Sequence, residues 1–187
     1  KVKLTWGGVN IVVANAGANG VWAPIDEITP EEWDRTMDIN LKGAFLTVRA
    51  CVPLMKEGGG GSVILMSSLV GTRSFSFSGA TAYATSKAAM VSFGRMIALE
   101  LAKDAIRVNT ICPGVFDTNI FQSTESRNRS GLHLPVVFPE GKVPLGGGQR
   151  PKPEKVANLV WFLASDLADH ITGTEVYIDG GQSLLIG

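Results

Sequence analysis

Neither sign of charge is in excess in this sequence: 17 Lys and Arg stand against 17 Asp and Glu, with no long run of either. Nucleic acid and anionic membrane surfaces are bound through such an excess, so neither is expected as the main partner. No apolar stretch approaches the ~20 residues that a membrane-spanning helix needs. Cysteine is scarce, with Cys51 inside a helical apolar pattern and Cys112 at the end of an apolar run. Without framework spacing they point to reduced thiols in a cytosolic protein. Asn128-Arg129-Ser130 fits a glycosylation sequon, but with no secretory signal beside it the match is read as coincidence. There is no internal repeat, and no initiating methionine: Lys1 opens the chain in what reads as a helix end. The chain is therefore expected to be a fragment, or the ordered part of something longer.

What is present is ordinary globular composition, 45% hydrophobic and 18% charged over 187 residues, enough for a single domain spanning 1–187. Val9 to Ala14 is a β-branched run closed by Asn15-Ala16-Gly17, which predicts a fully buried strand and a tight loop. Thr29-Pro30-Glu31-Glu32 has the form of a helix start, and the helix should run to about Met55, loosened near Pro53 and ended by Gly58 to Gly61. Ser62 to Met66 predicts the next strand, Ala80 to Ala102 a second long helix, and Ile106 to Ile111 a third strand closed by Pro113-Gly114. Residues 119–150 lack a clear period and are expected to form a long loop or lid. Pro153 to Ser165 reads as a helix and Glu175 to Ile178 as a last strand. Strands alternating with helices predict an α/β, doubly wound parallel sheet with helices on both faces.

The chemistry concentrates in Ser68, Tyr83 and Lys87. Tyr83 and Lys87 lie four apart on one predicted helix, so they project from the same face. A nearby ammonium favours the phenolate and should lower the tyrosine pKa from ~10 toward working pH. Tyr83 could then act as general acid for ketone reduction or as base for alcohol oxidation. Ser68 follows a strand, at the end where open α/β sheets bind ligands, and its hydroxyl could hold the substrate oxygen beside Tyr83.

In the order Asn15-Ala16-Gly17, Asn40, Ser68, Tyr83, Lys87, Pro113-Gly114 and Thr118, nearly the whole chain resembles the short-chain dehydrogenase/reductase family, whose Rossmann-type fold uses NAD or NADP. The resemblance implies that Asn15, Ala16 and Gly17 steady the sheet and line the adenosine side of the cofactor. It implies that Asn40 holds a proton-relay water, that Ser68 orients substrate, and that Tyr83 and Lys87 are the catalytic pair. Lys87 is also implied on the nicotinamide ribose, and Pro113, Gly114, Val115 and Thr118 on the nicotinamide amide. Ser67 is a conceivable rival to Ser68, but strand alternation points the neighbours opposite ways and the spacing before Gly71 favours Ser68. Tyr177 to Gly181 resembles the family's closing strand and turn.

Against the family pattern, no Gly-x-x-x-Gly-x-Gly turn precedes Asn15. The first βα units, with the glycine-rich loop that meets the pyrophosphate, are expected to be lacking, and with them the residue that tells NAD from NADP. A chain of these residues alone is expected to bind NAD(P) poorly and to expose a sheet edge. The stretch from Ser68 to Tyr83 is slightly long, so Thr72 to Gly79 either shapes an apolar pocket with Phe75 and Phe77 or packs them under the lid. The functional expectation is a hydride-transferring oxidoreductase acting on a small-molecule secondary alcohol or carbonyl. The alternatives are a 3-oxoacyl-acyl-carrier-protein reductase and a catalytically silent dinucleotide-binding sensor or scaffold. A basic patch of Arg127, Arg129, Lys142, Arg150 and Lys152 would favour the former, unless it is simply a solvated loop face. No metal site is expected. A homotetramer is, with Ala88, Val91, Arg95 and Leu99 at helical spacing available for an isologous interface.

Overall fold

Apolar runs too uniform to show a face become strands buried on both sides in a computed structural model, which describes residues 2–132 and 143–185. After a short helix α1 (Val2–Trp6), strand β1 (Ile11–Ala14) pairs in parallel with β3 (Gly61–Met66). Strand β3 pairs with β4 (Ile106–Pro113), and β4 with β6 (Glu175–Ile178), giving a four-stranded parallel sheet in the order β1-β3-β4-β6. Pleating sends Val63 and Leu65 to one face and Ile64 to the other, and all three are fully buried. On the first face they meet Val48 and Met55 of α3 (Gly43–Glu57) and Met90 and Leu101 of α4 (Thr81–Ala102). On the second, Ile64 and Ile111 pack against Leu163 of α5 (Glu154–Ala164). Burying one such side chain completely is worth about 1.5–3 kcal/mol, which is why runs this apolar sit between two helical layers. The doubly wound arrangement read from the sequence is the one observed. Among the described residues β1 is an edge strand, and there Ile11 and Val13 remain 54% and 40% exposed.

The helix expected from Thr29 to Met55 starts as read but is not uniform. Thr29 caps α2 (Pro30–Met37): its Oγ1 accepts from the Glu32 N–H at 3.3 Å, and the Glu32 carboxylate accepts from the Thr29 N–H at 3.0 Å. Residues Asp38–Lys42 then form a π turn before α3 begins. A π turn widens the helix by one residue, and such insertions occur at functional sites. Here it carries Asn40, which is fully buried. Pro53 lies within α3, which continues past Met55 to Glu57.

The described parts of the segment 119–150 are more ordered than its composition suggested. They hold short 3-10 turns at Asn119–Ser123, Arg129–Gly131 and Pro144–Gly146, and a strand β5 (Thr124–Ser126). Strand β5 runs parallel to β2 (Gly20–Trp22), with Trp22 opposite Ser126. Backbone amides brought against the buried Trp22 need partners, and this ladder supplies them.

Candidate active site

A cleft of about 810 Å³ opens at the carboxyl ends of β1, β3 and β4, lined there by Val13, Met66 and Pro113. Parallel strands end together at that rim, and the loops that follow them converge on it. All of Asn15, Ala16, Gly17, Ser68, Tyr83, Lys87, Pro113, Gly114, Val115 and Thr118 line this cleft. Asn40 lies behind it.

The two serines after β3 both line the cleft but bond differently. Ser67 Oγ donates to the Lys87 carbonyl at 2.6 Å and anchors the strand end to α4. Ser68 Oγ accepts from the Val70 N–H at 3.1 Å and hydrogen bonds toward the Tyr83 hydroxyl. Gly71 lets the intervening loop lie directly on α4: at φ +85°, a Cβ there would fall 2.1 Å from the Ala84 carbonyl oxygen. Any side chain at Gly71 would lift Ser68 away from Tyr83.

Burial raises the Tyr83 pKa, against a downward pull from the Ser68 hydrogen bond. That corrects the expectation that Lys87 draws the phenol toward working pH. The ammonium sits 5.6 Å from the ring centroid, and Lys87 is only 4% exposed. Burial, opposed by Cys112 nearby, lowers its own pKa to about 8. Desolvation wins at both groups, leaving a neutral phenol and a destabilised cation. Lys87 Nζ donates to the Met66 carbonyl at 2.9 Å, so two of the three ammonium hydrogens remain for other acceptors.

Asn40 ties this pair to the loop after β1. Its Oδ1 accepts from the Ala18 N–H at 2.8 Å, and its Nδ2 donates to the Ala18 carbonyl and to Ser86 Oγ, both at 2.9 Å. Ser86 Oγ in turn donates to the Tyr83 carbonyl at 2.7 Å. Both side-chain donors of Asn40 are thus engaged with protein. The loop reaches so close that a Cβ on Gly17 would be 3.2 Å from both Asn40 Oδ1 and Lys87 Nζ. Across the cleft, the Gly114 N–H donates to the Ile178 carbonyl at 3.0 Å and the Val115 N–H to Gln182 Oε1 at 2.9 Å. The turn after β6 therefore fixes the 113–118 loop. Trp22, Ser86 and Gln182 have parts here that no motif pointed to; for Trp22 the available signal was a large aromatic just after the Asn-Ala-Gly loop.

The described part of 119–150 is hydrogen bonded to the cleft wall. Asn19 donates from its backbone to Ser123 Oγ at 3.0 Å and from its side chain to Thr124 Oγ1 at 2.7 Å. Arg127 meets Glu32 through two parallel hydrogen bonds of 2.9 Å and lies 3.6 Å from Glu27. Arg129 stacks over Trp22 at 4.9 Å, and Arg150 over Phe121 at 5.2 Å. The proposed basic patch thus has Arg127 and Arg129 already committed, Lys152 exposed, and Lys142 outside the described residues. Phe77 and Phe75 part ways: Phe77 lines the cleft, while Phe75 is 74% exposed.

Arg127 holds the Glu32 carboxyl down to about 2, from an ordinary 4.5. A depressed carboxylate pKa gives a contribution that is present above pH 4.5 and lost as pH falls toward 2. Arg127→Ala should therefore expose 119–132 to limited proteolysis at pH 7, and wild type should acquire the same sensitivity only in strong acid. Equal cleavage rates of the two proteins at pH 7 would show that the ion pair does not hold the lid.

Comparison with known proteins places the chain in a family. A family model described as Enoyl-(Acyl carrier protein) reductase matches residues 1–183. The human protein Dehydrogenase/reductase SDR family member 4 is 37% identical over 181 residues, which are 96% of this chain and 61% of that protein. A 3-oxoacyl-[acyl-carrier-protein] reductase of Thermotoga maritima is 35% identical, over 97% of this chain and 69% of its own. The crystal structure of a 3-ketoacyl-ACP reductase from Sinorhizobium meliloti superposes with a TM-score of 0.92 at 49% identity, covering 98% of this chain and 72% of that one. The chain spans less than two thirds of the first curated relatives, 64% and 61% for the rabbit and human proteins. Matched over nearly its whole length, it belongs to the short-chain dehydrogenase/reductase family.

Proposed function

We propose that the protein is an NAD- or NADP-dependent oxidoreductase that interconverts a small secondary alcohol and its carbonyl. The observation that carries this reading is the convergence of the Ser68 hydroxyl, the Tyr83 phenol and the Lys87 ammonium in one cleft. The residues present suit a nicotinamide nucleotide: Lys87 has ammonium hydrogens to spare for ribose hydroxyls, and Gly17 leaves room beside it. Asn15, Ala16 and Gly17 would line the adenosine side, and Pro113 to Thr118 the carboxamide. The bound cofactor supplies or accepts the hydride.

The chain's own residues handle the oxygen. Ser68 hydrogen bonds to the substrate carbonyl and sets it beside Tyr83. Tyr83, protonated at neutral pH because it is buried, gives its proton to that oxygen as the carbinol forms, and takes one back in the oxidation. Lys87 stabilises the phenolate left behind. Asn40 holds the loop and helix in register, and a relay water returning the proton would lie next to it and Lys87.

An ammonium with a pKa of about 8 loses its charge in the working range. Ketone reduction should therefore fall off as pH rises past about 8. Oxidation of NADH and NADPH with a panel of ketones by the full-length protein tests the whole reading and decides between the cofactors. No turnover with any ketone under either cofactor would leave the silent sensor or scaffold standing. A second reading, reduction of 3-oxoacyl-carrier substrates, is favoured by the names of the Thermotoga and Sinorhizobium proteins.

We also propose a homo-oligomer, a tetramer by family likeness. Met96 and Leu99 on α4 are 73% and 84% exposed and could serve an interface, whereas Val91 is buried in the chain's own core and could not. Arg95 is paired with Glu175. Light scattering at micromolar concentration should show more than a monomer. Both cysteines are free, which suits the cytoplasm as the proposed location. Among the described residues no helix is long and apolar enough to cross a membrane.

A further inference from the structure

Trp22 and Phe77 line the cleft beside Tyr83, yet neither takes part in the proton chemistry. The Trp22 ring lies 6.5 Å from that of Tyr83, and Phe77 meets it edge-on at 6.3 Å. Trp22 is 6% exposed, and its indole N–H donates to the Asn19 carbonyl at 3.2 Å. With that polar atom satisfied, the rest of the ring is an apolar wall.

The wall is rigid because four separate contacts fix it. Strand pairing sets Trp22 opposite Ser126, and the Trp22 carbonyl accepts from the Arg127 N–H at 3.0 Å. The next residue, Ala23, donates to the Gly79 carbonyl at 3.3 Å. Finally the Arg129 guanidinium stacks on the indole at 4.9 Å, while its Nε donates to the Ser78 carbonyl at 2.9 Å. Residues 126–129 therefore close on Trp22, together with the loop that carries Phe77.

Val70, Phe116 and Phe121 extend the apolar lining, and among the described lining residues Lys87 is the one charged side chain. A carboxylate or phosphate placed against Trp22 would be desolvated without a partner, since Arg129 stacks on the indole from outside the cleft lining. We propose that Trp22 selects the substrate: a free, uncharged ketone or alcohol whose larger substituent is flat and apolar and lies against the indole. Arg129 is the positioning residue that keeps the indole in place. This rests on the hydride-transfer reading above.

The test compares kcat/KM for a small aliphatic ketone, an aryl ketone, the same aryl ketone carrying a carboxylate, and a 3-oxoacyl thioester. Wild type should favour the neutral aryl ketone over each of the others by about tenfold or more, the scale on which apolar pockets discriminate. Trp22→Ala should cut the aryl-to-aliphatic ratio by about as much, chiefly through KM. Trp22→Phe, which keeps a ring and spares the fold, should give an intermediate ratio, and Arg129→Met should raise KM for the aryl ketone with kcat retained. If wild type turns over none of the four compounds, the hydride-transfer reading fails and this inference with it. If compounds are turned over but the carboxylate or thioester is preferred, or the ratio is unchanged in Trp22→Phe, the hydride-transfer reading stands and the assignment of Trp22 is wrong.

Discussion

Tyr83→Phe should reduce kcat/KM for ketone reduction by about 10²–10⁴, the usual worth of a positioned general acid, with cofactor affinity nearly unchanged. The substitution removes a buried hydroxyl and leaves a ring that still packs against Trp22. Ser68 Oγ still accepts from the Val70 N–H, and its released O–H faces the open cleft. The variant should therefore melt at or slightly above the wild-type temperature. A Tyr83→Phe enzyme retaining more than about a tenth of wild-type activity would remove Tyr83 from the mechanism, since no plausible acid contributes so little.

Lys87→Met should abolish turnover and yet stabilise the protein at neutral pH. Lowering a lysine pKa from 10.5 to about 8 means that burying the charged form costs on the order of 3 kcal/mol. The methionine variant escapes that cost and fills a similar volume, but it leaves the Met66 carbonyl without its hydrogen bond, a loss of about 1–3 kcal/mol. The difference favours the variant at pH 7 by about 1 kcal/mol, or about 2–4 °C in Tm for a chain of this size. The sign follows from linkage. Between about 8 and 10.5 the unfolded lysine binds a proton that the folded one has released, so wild-type stability rises with pH across that window. The advantage of the variant should shrink as pH climbs through it and be gone above it. A Lys87→Met protein that melts below wild type at pH 7 would show that the ammonium is well solvated or paired in the native state, contrary to its burial.

That prediction also marks what the sequence could and could not say. The spacing of Tyr83 and Lys87 places them on one helix face, and they are there. Whether the lysine lowers the phenol pKa depends on depth, which spacing does not encode; the surrounding α4 and β3 residues decide it in favour of desolvation. The buried strands Gly61–Met66 and Ile106–Pro113 were legible because parallel strands covered on both faces read as unbroken apolar runs, whereas Ile11–Ala14, read as fully buried, is an edge strand with one face exposed. Strands β2 and β5 were not, because three-residue strands give no period and Thr124-Glu125-Ser126 is polar. Their pairing joins segments about a hundred residues apart, with Gly20 opposite Thr124. The π turn at Asp38–Lys42 escaped for a related reason: its cause is Asn40 reaching Ala18 and Ser86, which are distant in sequence. Alternation and the spacing before Gly71 favoured Ser68 over Ser67; both line the cleft, and the Ser67 hydroxyl is engaged with the Lys87 carbonyl. Trp22 was not legible because a lone aromatic outside any motif is far more often packing than site.

The account stands or falls on proton delivery by Tyr83 coupled to hydride transfer in this cleft. The most direct measurement is a single turnover of a neutral aryl ketone with nicotinamide deuterated at the transferring position, read by mass spectrometry for wild type and Tyr83→Phe. The account predicts an alcohol carrying deuterium on its carbinol carbon from wild type and almost none from the variant. Labelled alcohol formed at equal rates by both proteins would contradict it.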